Sequence, residues 1–491
     1  MNDLALIIGA GIGGLTTGAL LAKRGWKVII LEQSSRIGGC CGTFSRSGFK
    51  FDVGATLFPD ILWSGLDLVS RELGLDLERI LLDPFSQICV PGHRIGLFRD
   101  PELMKEEWSR EFPMEKNAIN DFLGYLNKVD TRLRYLKARN VSGQIFSKTE
   151  ALDRRDWNWP LKLSAFMYKR KSAMKAVDPV LKESKASVGF DLQTLFWGQT
   201  ELVKSSLAYA ASVIELHLYG GFCLKGGSDS LCKLLSHYIR SNGGEIRLDC
   251  LVNKVLIDKQ KAIGLELDKG EVLEGRCYIA NTTPWGLYEK LLFHGFSKNR
   301  IVWKLRKVPY PNSIFTVFLG VKESCLPSQM GHKVFFLPSM NNGKEQTGPL
   351  FIALSPREDA GRAPEGCRAM TVFLHTSPQG WNRGVGYTKN KEQTQEKIIN
   401  ILKGLIPFLD EGLCYCESAT PLTYEKFTAR PGGIVNSVPQ TVDIIGNKAL
   451  SKFTCYQDLF LINDCTSPGL GVEGICQESL DLTDSICKRY E

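Results

Sequence analysis

The stretch Leu4-Ala5-Leu6-Ile7-Ile8-Gly9-Ala10-Gly11-Ile12-Gly13-Gly14 decides how the rest of this 491-residue chain must be arranged. Its five apolar residues predict a strand buried on both faces, and the run breaks directly into glycine. The glycine pattern predicts a tight turn at Gly9, close backbone approach to an anion at Gly11, and helix-to-strand packing at Gly14, with Gly13 between them. A helix is expected from Leu15 to Arg24, stopped by Gly25. Lys27-Val28-Ile29-Ile30-Leu31 then supplies a second strand ending in Glu32. The helix N-terminus faces the pyrophosphate of a dinucleotide. Glu32, eighteen residues past Gly14, is placed to accept hydrogen bonds from the adenosine ribose. That carboxylate favours a free 2′-hydroxyl, hence FAD or NAD over NADP.

A second glycine-rich loop, Arg36-Ile37-Gly38-Gly39-Cys40-Cys41-Gly42-Thr43, follows within a few residues. A plain NAD-binding unit does not need it. It resembles the extension by which glutathione-reductase-like flavoproteins, among them the amine-oxidase and carotenoid-desaturase group, wrap a whole FAD molecule. Gly48-Phe49-Lys50-Phe51-Asp52-Val53-Gly54-Ala55-Thr56 is similar to the segment that runs beside the isoalloxazine in carotenoid desaturases and isomerases. The resemblance implies FAD contacts at Arg36, Gly38, Gly39, Thr43 and Gly54.

Composition bounds the alternatives. With 43% hydrophobic residues the chain can bury a large core, and its length suits two or three domains. No charged and apolar leader precedes the first strand, so neither an export signal nor a transit peptide is expected. No apolar stretch approaches the roughly 18 to 20 residues of a spanning helix. The 15 cysteines are then expected as thiols in reducing cytosol. Neither Cys40-Cys41 nor Cys414-Tyr415-Cys416 has metal-ligand spacing, and with six histidines scattered through the chain no metal site is expected. A net charge of +8 is too dispersed to imply nucleic acid and suits an anionic membrane surface.

Further along, Gln87–Val90 and Arg94–Phe98 flank Pro91-Gly92 and predict a hairpin. Helical patterns cover Leu66–Leu75, Pro101–Arg134 and Leu192–Leu218, the last apolar enough to line a tunnel or to be plain core. Residues 154–185 mix Trp157, Trp159, Phe166 and Tyr168 with Arg154, Arg155, Lys169, Arg170 and Lys171. Such a mixture fits either a monotopic membrane contact or a basic helix that packs its aromatics inward. Leu224-Lys225-Gly226-Gly227-Ser228 opens a helix to about Arg240, and strands follow at Val252–Ile257 and Tyr278–Asn281. Four strand-like runs at 313–319, 334–336, 350–354 and 369–374 predict a sheet with apolar faces, followed by a helix over 392–405.

Near the C-terminus, Leu459–Asp464 reads as a strand ending in an acid. Pro468-Gly469-Leu470-Gly471-Val472-Glu473-Gly474 leads from it into a helix over 475–489. Its glycine turn would aim backbone N–H groups at a bound anion. With these segments in order, the chain resembles the bacterial-type carotenoid desaturase and isomerase family, which includes phytoene desaturases, carotenoid isomerases and retinol saturases. Its motifs, including Pro431-Gly432-Gly433-Ile434-Val435, look nearest to the cyanobacterial-type carotenoid 3,4-desaturases. The resemblance implies an α/β plus α+β fold. Its glutathione-reductase-like FAD-binding Rossmann domain is discontinuous, over 1–85, 220–298 and 416–491. The inserted substrate domain, of antiparallel sheet and helices, covers 86–219 and 299–415, with a membrane-facing part at about 154–215. It also implies that the Val252 backbone meets the adenine, that Asp464 serves the ribityl or pyrophosphate portion, and that Gly469, Gly471 and Val472 face the flavin. Glu473 departs from the family pattern; it is either a base near the flavin or a first-turn acid answering the helix dipole.

The implied chemistry is desaturation of a carotenoid or similar long apolar polyene by hydride transfer to FAD, with oxygen or a quinone as the electron acceptor and a peripheral, cytoplasmic position at a membrane. Positioning and water exclusion would do most of the work, so no catalytic dyad is required. Carotenoid cis–trans isomerisation and retinol-saturase-like reduction are alternatives. An amine or porphyrinogen oxidase shares the signatures, and a non-catalytic prenyl-binding protein of the GDP dissociation inhibitor fold shares the architecture.

Overall fold

The structure is a computed structural model that describes residues 3–62, 64–138, 167–292, 305–338, 348–435, 437–445, 450–466 and 471–491. Leu4–Ile8 lies at the centre of a five-stranded sheet ordered Glu245–Arg247, Lys27–Leu31, Leu4–Ile8, Cys277–Ala280 and Leu459–Leu461. Every pairing in it is parallel. Parallel strands bury both faces, which is why Val28–Leu31 and Tyr278–Ala280 lack polar alternation. Helices Ile12–Lys23, Asp229–Ser241 and Val472–Tyr490 cover one face through Leu15, Leu20, Leu235, Ile239, Leu482 and Ile486. An antiparallel ribbon of Val252–Asp258, Lys261–Leu267 and Val272–Leu273 covers the other, packing Val255 and Leu265 against Leu6, Leu31 and Tyr278.

A seven-stranded sheet forms the second layer system, ordered Leu413–Ala419, Ser313–Lys322, Cys367–Thr376, Leu350–Leu354, Lys333–Phe336, Ser86–Val90 and His93–Leu97. It is antiparallel at every pairing but one. Lys333–Phe336 runs parallel to Ser86–Val90, a pairing that the long chain between them permits. The strand Leu413–Ala419 crosses the boundary expected at 415/416, pairing Ala419 with Thr316 and so extending this sheet to Ala419. Helix Tyr387–Leu402 packs Ile398 and Leu402 on one face against Val317, Leu319 and Val372. On the other face lie the helices Pro101–Glu111, Lys116–Ala138, Lys185–Gly198 and Leu207–Ile214.

The helical run expected from Leu192 to Leu218 is broken at Gln199. That residue adopts a left-handed conformation, φ 50°. Its side-chain amide accepts from the Asn312 backbone N–H at 2.8 Å, while Asp191 accepts from the Leu202 N–H at 2.6 Å. Both bonds tie the break to partners that the local apolar pattern does not reveal. Of the aromatic and basic segment, residues 154–166 lie outside the described residues. Tyr168 accepts a hydrogen bond from Arg132 at 2.6 Å. Among the described residues, no helix is long and apolar enough to cross a membrane.

Candidate active site

The strands of the parallel sheet end on one side, and the chain leaves each end through a polar or glycine-rich segment. Ile8 is followed by Gly9, Leu31 by Glu32, Ala280 by Asn281, and Leu461 by Ile462-Asn463-Asp464. Ligands of open α/β sheets bind beyond such carboxyl ends. A cavity of about 480 Å³ occupies this place. Gly9, Gly11, Glu32, Arg36, Gly38, Gly39, Gly54, Val252, Asp464, Gly471 and Val472 all line it.

At one end the Glu32 carboxylate accepts from the Ala10 N–H at 2.7 Å and the Ser34 N–H at 2.9 Å. Burial pushes its pKa up, opposed by those two bonds. Two lone-pair positions remain for a sugar hydroxyl. Val252 lies in the same end of the cavity, beyond Cys250, whose N–H is donated to the Glu32 carbonyl oxygen. The two glycine loops meet: Gly38, at φ 109°, donates its N–H to Ala10 O at 2.8 Å. Gly13 and Gly14 serve packing and do not line the cavity. A Cβ on Gly14 would overlap the Gly9 carbonyl oxygen, and one on Gly13 would come within 2.9 Å of Asn281. Asn281, which sequence patterns place merely at a strand end, donates from Nδ2 to Gly9 O at 3.2 Å and lines the cavity.

Thr43 lies away from the cavity, its methyl beneath Gly227. There it supports the Lys225-Gly226-Gly227 turn, together with Asp52, which accepts from the Ser228 N–H at 2.8 Å and from Arg362 at 2.7 Å. Gly469 lies outside the described residues. Glu473 is buried, but away from the cavity. Its carboxylate accepts from Ser64 Oγ at 2.7 Å and the Leu66 N–H at 3.0 Å, capping helix Gly65–Leu73 from a neighbouring helix.

Asp464 is held by Arg430 in a two-pronged ion pair, with distances of 2.9 and 3.0 Å. Arg430 also donates to the carbonyl oxygens of Ile434 and Val435, each at 3.2 Å. Burial alone would lower the guanidinium pKa, but Asp464 outweighs it and the net shift is upward. The pair fastens the loop after Leu461 to the Arg430-Pro431-Gly432-Gly433 turn. In the sequence, Arg430 shows only as part of a motif, with no partner nearby. Beside it, burial pushes the Cys40 thiol up, so the group facing the cavity is neutral.

The far end is apolar, with Leu57, Phe196, Trp197, Ile314, Phe373 and Phe427 in the wall. Phe196 packs on Phe335, Phe351 and Phe373, with ring centroids 4.8, 5.3 and 6.0 Å away.

The residues fit a dinucleotide. Helices Ile12–Lys23 and Val472–Tyr490 both start at the cavity with glycine at the N-cap and no side-chain cap. Their first N–H groups are therefore available to an anion. Among the described residues, Gly471, at φ 54°, has open space where a Cβ would stand, and buried Asn463 Nδ2 has no acceptor.

A dinucleotide-binding class of protein is defined by this arrangement. Residues 12–419 match the family described as flavin containing amine oxidoreductase, and the chain belongs to that family. Membership implies a flavin cofactor. The chloroplastic prolycopene isomerase of Daucus carota is 27% identical, over 95% of this chain and 77% of its own length. A neurosporene-forming phytoene desaturase from Rhodobacter capsulatus is 23% identical, over 96% of this chain and 91% of its own. An oxidoreductase structure from Methanosarcina mazei aligns with a TM-score of 0.62 at 17% identity, covering 98% of this chain and 100% of that one, a likeness of fold. The relatives fit the carotenoid desaturase and isomerase group that the sequence motifs resemble.

Proposed function

We propose that the protein is an FAD-dependent oxidoreductase acting on a carotenoid or similar long apolar polyene, most simply by desaturation. One observation carries this: the cavity runs without interruption from a backbone cradle suited to a dinucleotide to a wall of Phe196, Trp197, Ile314 and Phe373. FAD, when bound, supplies a hydride acceptor.

The chain's own contribution is to bind and orient. Glu32 takes the ribose hydroxyls and Val252 borders the adenine. Gly9, Gly11 and the two uncapped helix starts receive the pyrophosphate, assisted by Gly38, Gly39 and Arg36. Arg430 holds Asp464 and the loop around it in register. The aromatic wall aligns a polyene and keeps water from the reacting carbon, so conjugation rather than a side-chain acid can support positive charge there. In this division the parallel sheet and its ribbon form a discontinuous FAD-binding domain of glutathione-reductase type, and the seven-stranded sheet with its helices forms the substrate domain. The polyene enters from a membrane surface, and electrons leave to oxygen or a quinone.

The similarity to a prolycopene isomerase favours cis–trans isomerisation as a second reading. Both are tested by the visible spectrum of the purified protein, followed by anaerobic addition of acyclic and monocyclic carotenes in liposomes. Flavin bleaching with lengthening of the polyene is the result expected of a desaturase. A rearranged polyene without net bleaching moves the protein to isomerisation. Purified protein lacking flavin sinks both readings and leaves a binding protein.

A further inference from the structure

Behind the aromatic wall sits a buried cation. Lys333 opens the strand Lys333–Phe336 and is 2% exposed, yet among the described residues no carboxylate pairs with it. Its Nζ donates to Thr56 Oγ1 at 2.9 Å and lies 4.4 Å from the ring centroid of Phe196 and 5.5 Å from that of Phe373. Thr56, Phe196 and Phe373 all line the cavity, and Lys333 stands directly behind them. A hydroxyl carries one proton. Because the Thr56 oxygen already accepts from Lys333, its own O–H must be donated elsewhere, and the described protein offers it no acceptor. The Thr56 backbone oxygen is engaged separately, by Cys223 Sγ at 3.5 Å.

We propose that Lys333 and Thr56 form a two-residue relay that carries positive charge to the cavity wall, where the Thr56 hydroxyl donates to the flavin ring and favours its reduced state. The relay rests on the reading of this cavity as a flavin site. Thr56 makes the contact, and Lys333 is a positioning residue that acts through it. An ammonium bonded to the hydroxyl oxygen polarises the O–H, and the apolar surroundings strengthen the effect. The ring faces of Phe196 and Phe373 hold the ammonium in place of a counter-ion.

The relay is sensitive to pH. Burial brings the Lys333 pKa down to about 7, with Cys223 and Asp52 acting in the opposite sense. The ammonium, and with it the support for negative charge in the cavity, is present below that pH and lost above it. Asp52 is already bonded to Arg362 and Ser228. Burial pushes the Cys223 thiol up to about 12 and the His375 imidazole, packed on Phe373, down to about 4.

The test is the flavin midpoint potential of purified holoenzyme, measured by dye equilibration from about pH 5.5 to 8.5, for wild type, K333M, T56V and T56S. Wild type is expected to show an extra fall in potential centred near neutral pH. K333M and T56V are expected to start from a lower potential at the acid end and lack the extra fall, and T56S to restore both. Each tenfold loss of preference for the reduced state reads as about 30 mV for a two-electron couple. Should K333M fail to fold, T56V against T56S decides, because Lys333 is intact in both. Flavin-loaded K333M and T56V that titrate like wild type overturn the relay and leave the functional reading standing. Wild type that purifies without flavin overturns both.

Discussion

The cradle at the ends of the parallel strands and the aromatic wall on the seven-stranded sheet enclose one cavity, yet they handle charge in opposite ways. In the cradle every buried carboxylate has a dedicated donor. Glu32 takes two backbone N–H groups and Asp464 takes Arg430. On the wall side Glu215 is 2% exposed and, among the described residues, its carboxylate takes a single amide donor, Asn127, at 3.1 Å. Lys333 there rests on ring faces and a hydroxyl. The difference teaches that the cradle presents fixed charge to the cavity, whereas the wall presents Leu57, Phe196, Trp197, Ile314, Phe373 and Phe427 to it. A polyene binds without losing hydrogen bonds only where the protein has few to offer.

The comparison breaks most visibly at Arg430. R430M leaves Asp464 buried without its partner, a loss of about 3–5 kcal/mol. Thermal unfolding should shift down strongly and the purified protein should lose its flavin; a variant with wild-type stability and flavin content would show that the cradle does not depend on the pair. A smaller effect is expected at Glu215, where burial raises the pKa to about 7, opposed mainly by Asn127. The native protein then holds a proton that the unfolded chain releases between about pH 4.5 and 7, so stability falls as pH rises through that window. E215Q should flatten this slope, a difference of up to about 3 kcal/mol at pH 8 by the size of the shift, while flavin content stays unchanged. Unfolding midpoints at pH 5 and pH 8 check it, and parallel curves for the two proteins would contradict it. The smallest change in stability belongs to the wall itself. F196L should cost about 1 kcal/mol and leave the flavin spectrum intact, while KM for a carotene rises more than kcat falls. A loss of flavin from F196L would mean that wall and cradle are not separable.

How much of this was legible in the chain depends on distance along it. Leu4–Glu32 contains its strand, turn, helix, second strand and acid in one continuous piece, so spacing alone sufficed. Gly38, Gly39 and Gly471 came from the family resemblance; all three line the cavity and take a positive φ that suits glycine. Thr43 and Glu473 were named from motifs too; packing took Thr43 beneath Gly227, while Glu473 stands in the first turn of its own helix, one of its two readings, and from there also caps the N-terminus of another helix. Asn281 and Arg430 went unmarked as site residues, since their partners Gly9 and Asp464 are far away in sequence. The wall was least legible of all. Phe196, Ile314 and Phe373 are ordinary apolar residues in three separate segments, and nothing about any of them alone distinguishes a cavity from core.

Backbone conformation and local hydrogen bonding act over a few residues, so the nucleotide-binding unit and the order of its parts were carried by the chain itself. Close packing joins residues with no relation in sequence. Only the tertiary structure could therefore put Lys333 behind Thr56, split the apolar run at Gln199, run one strand of the second sheet parallel, and turn scattered phenylalanines into a wall.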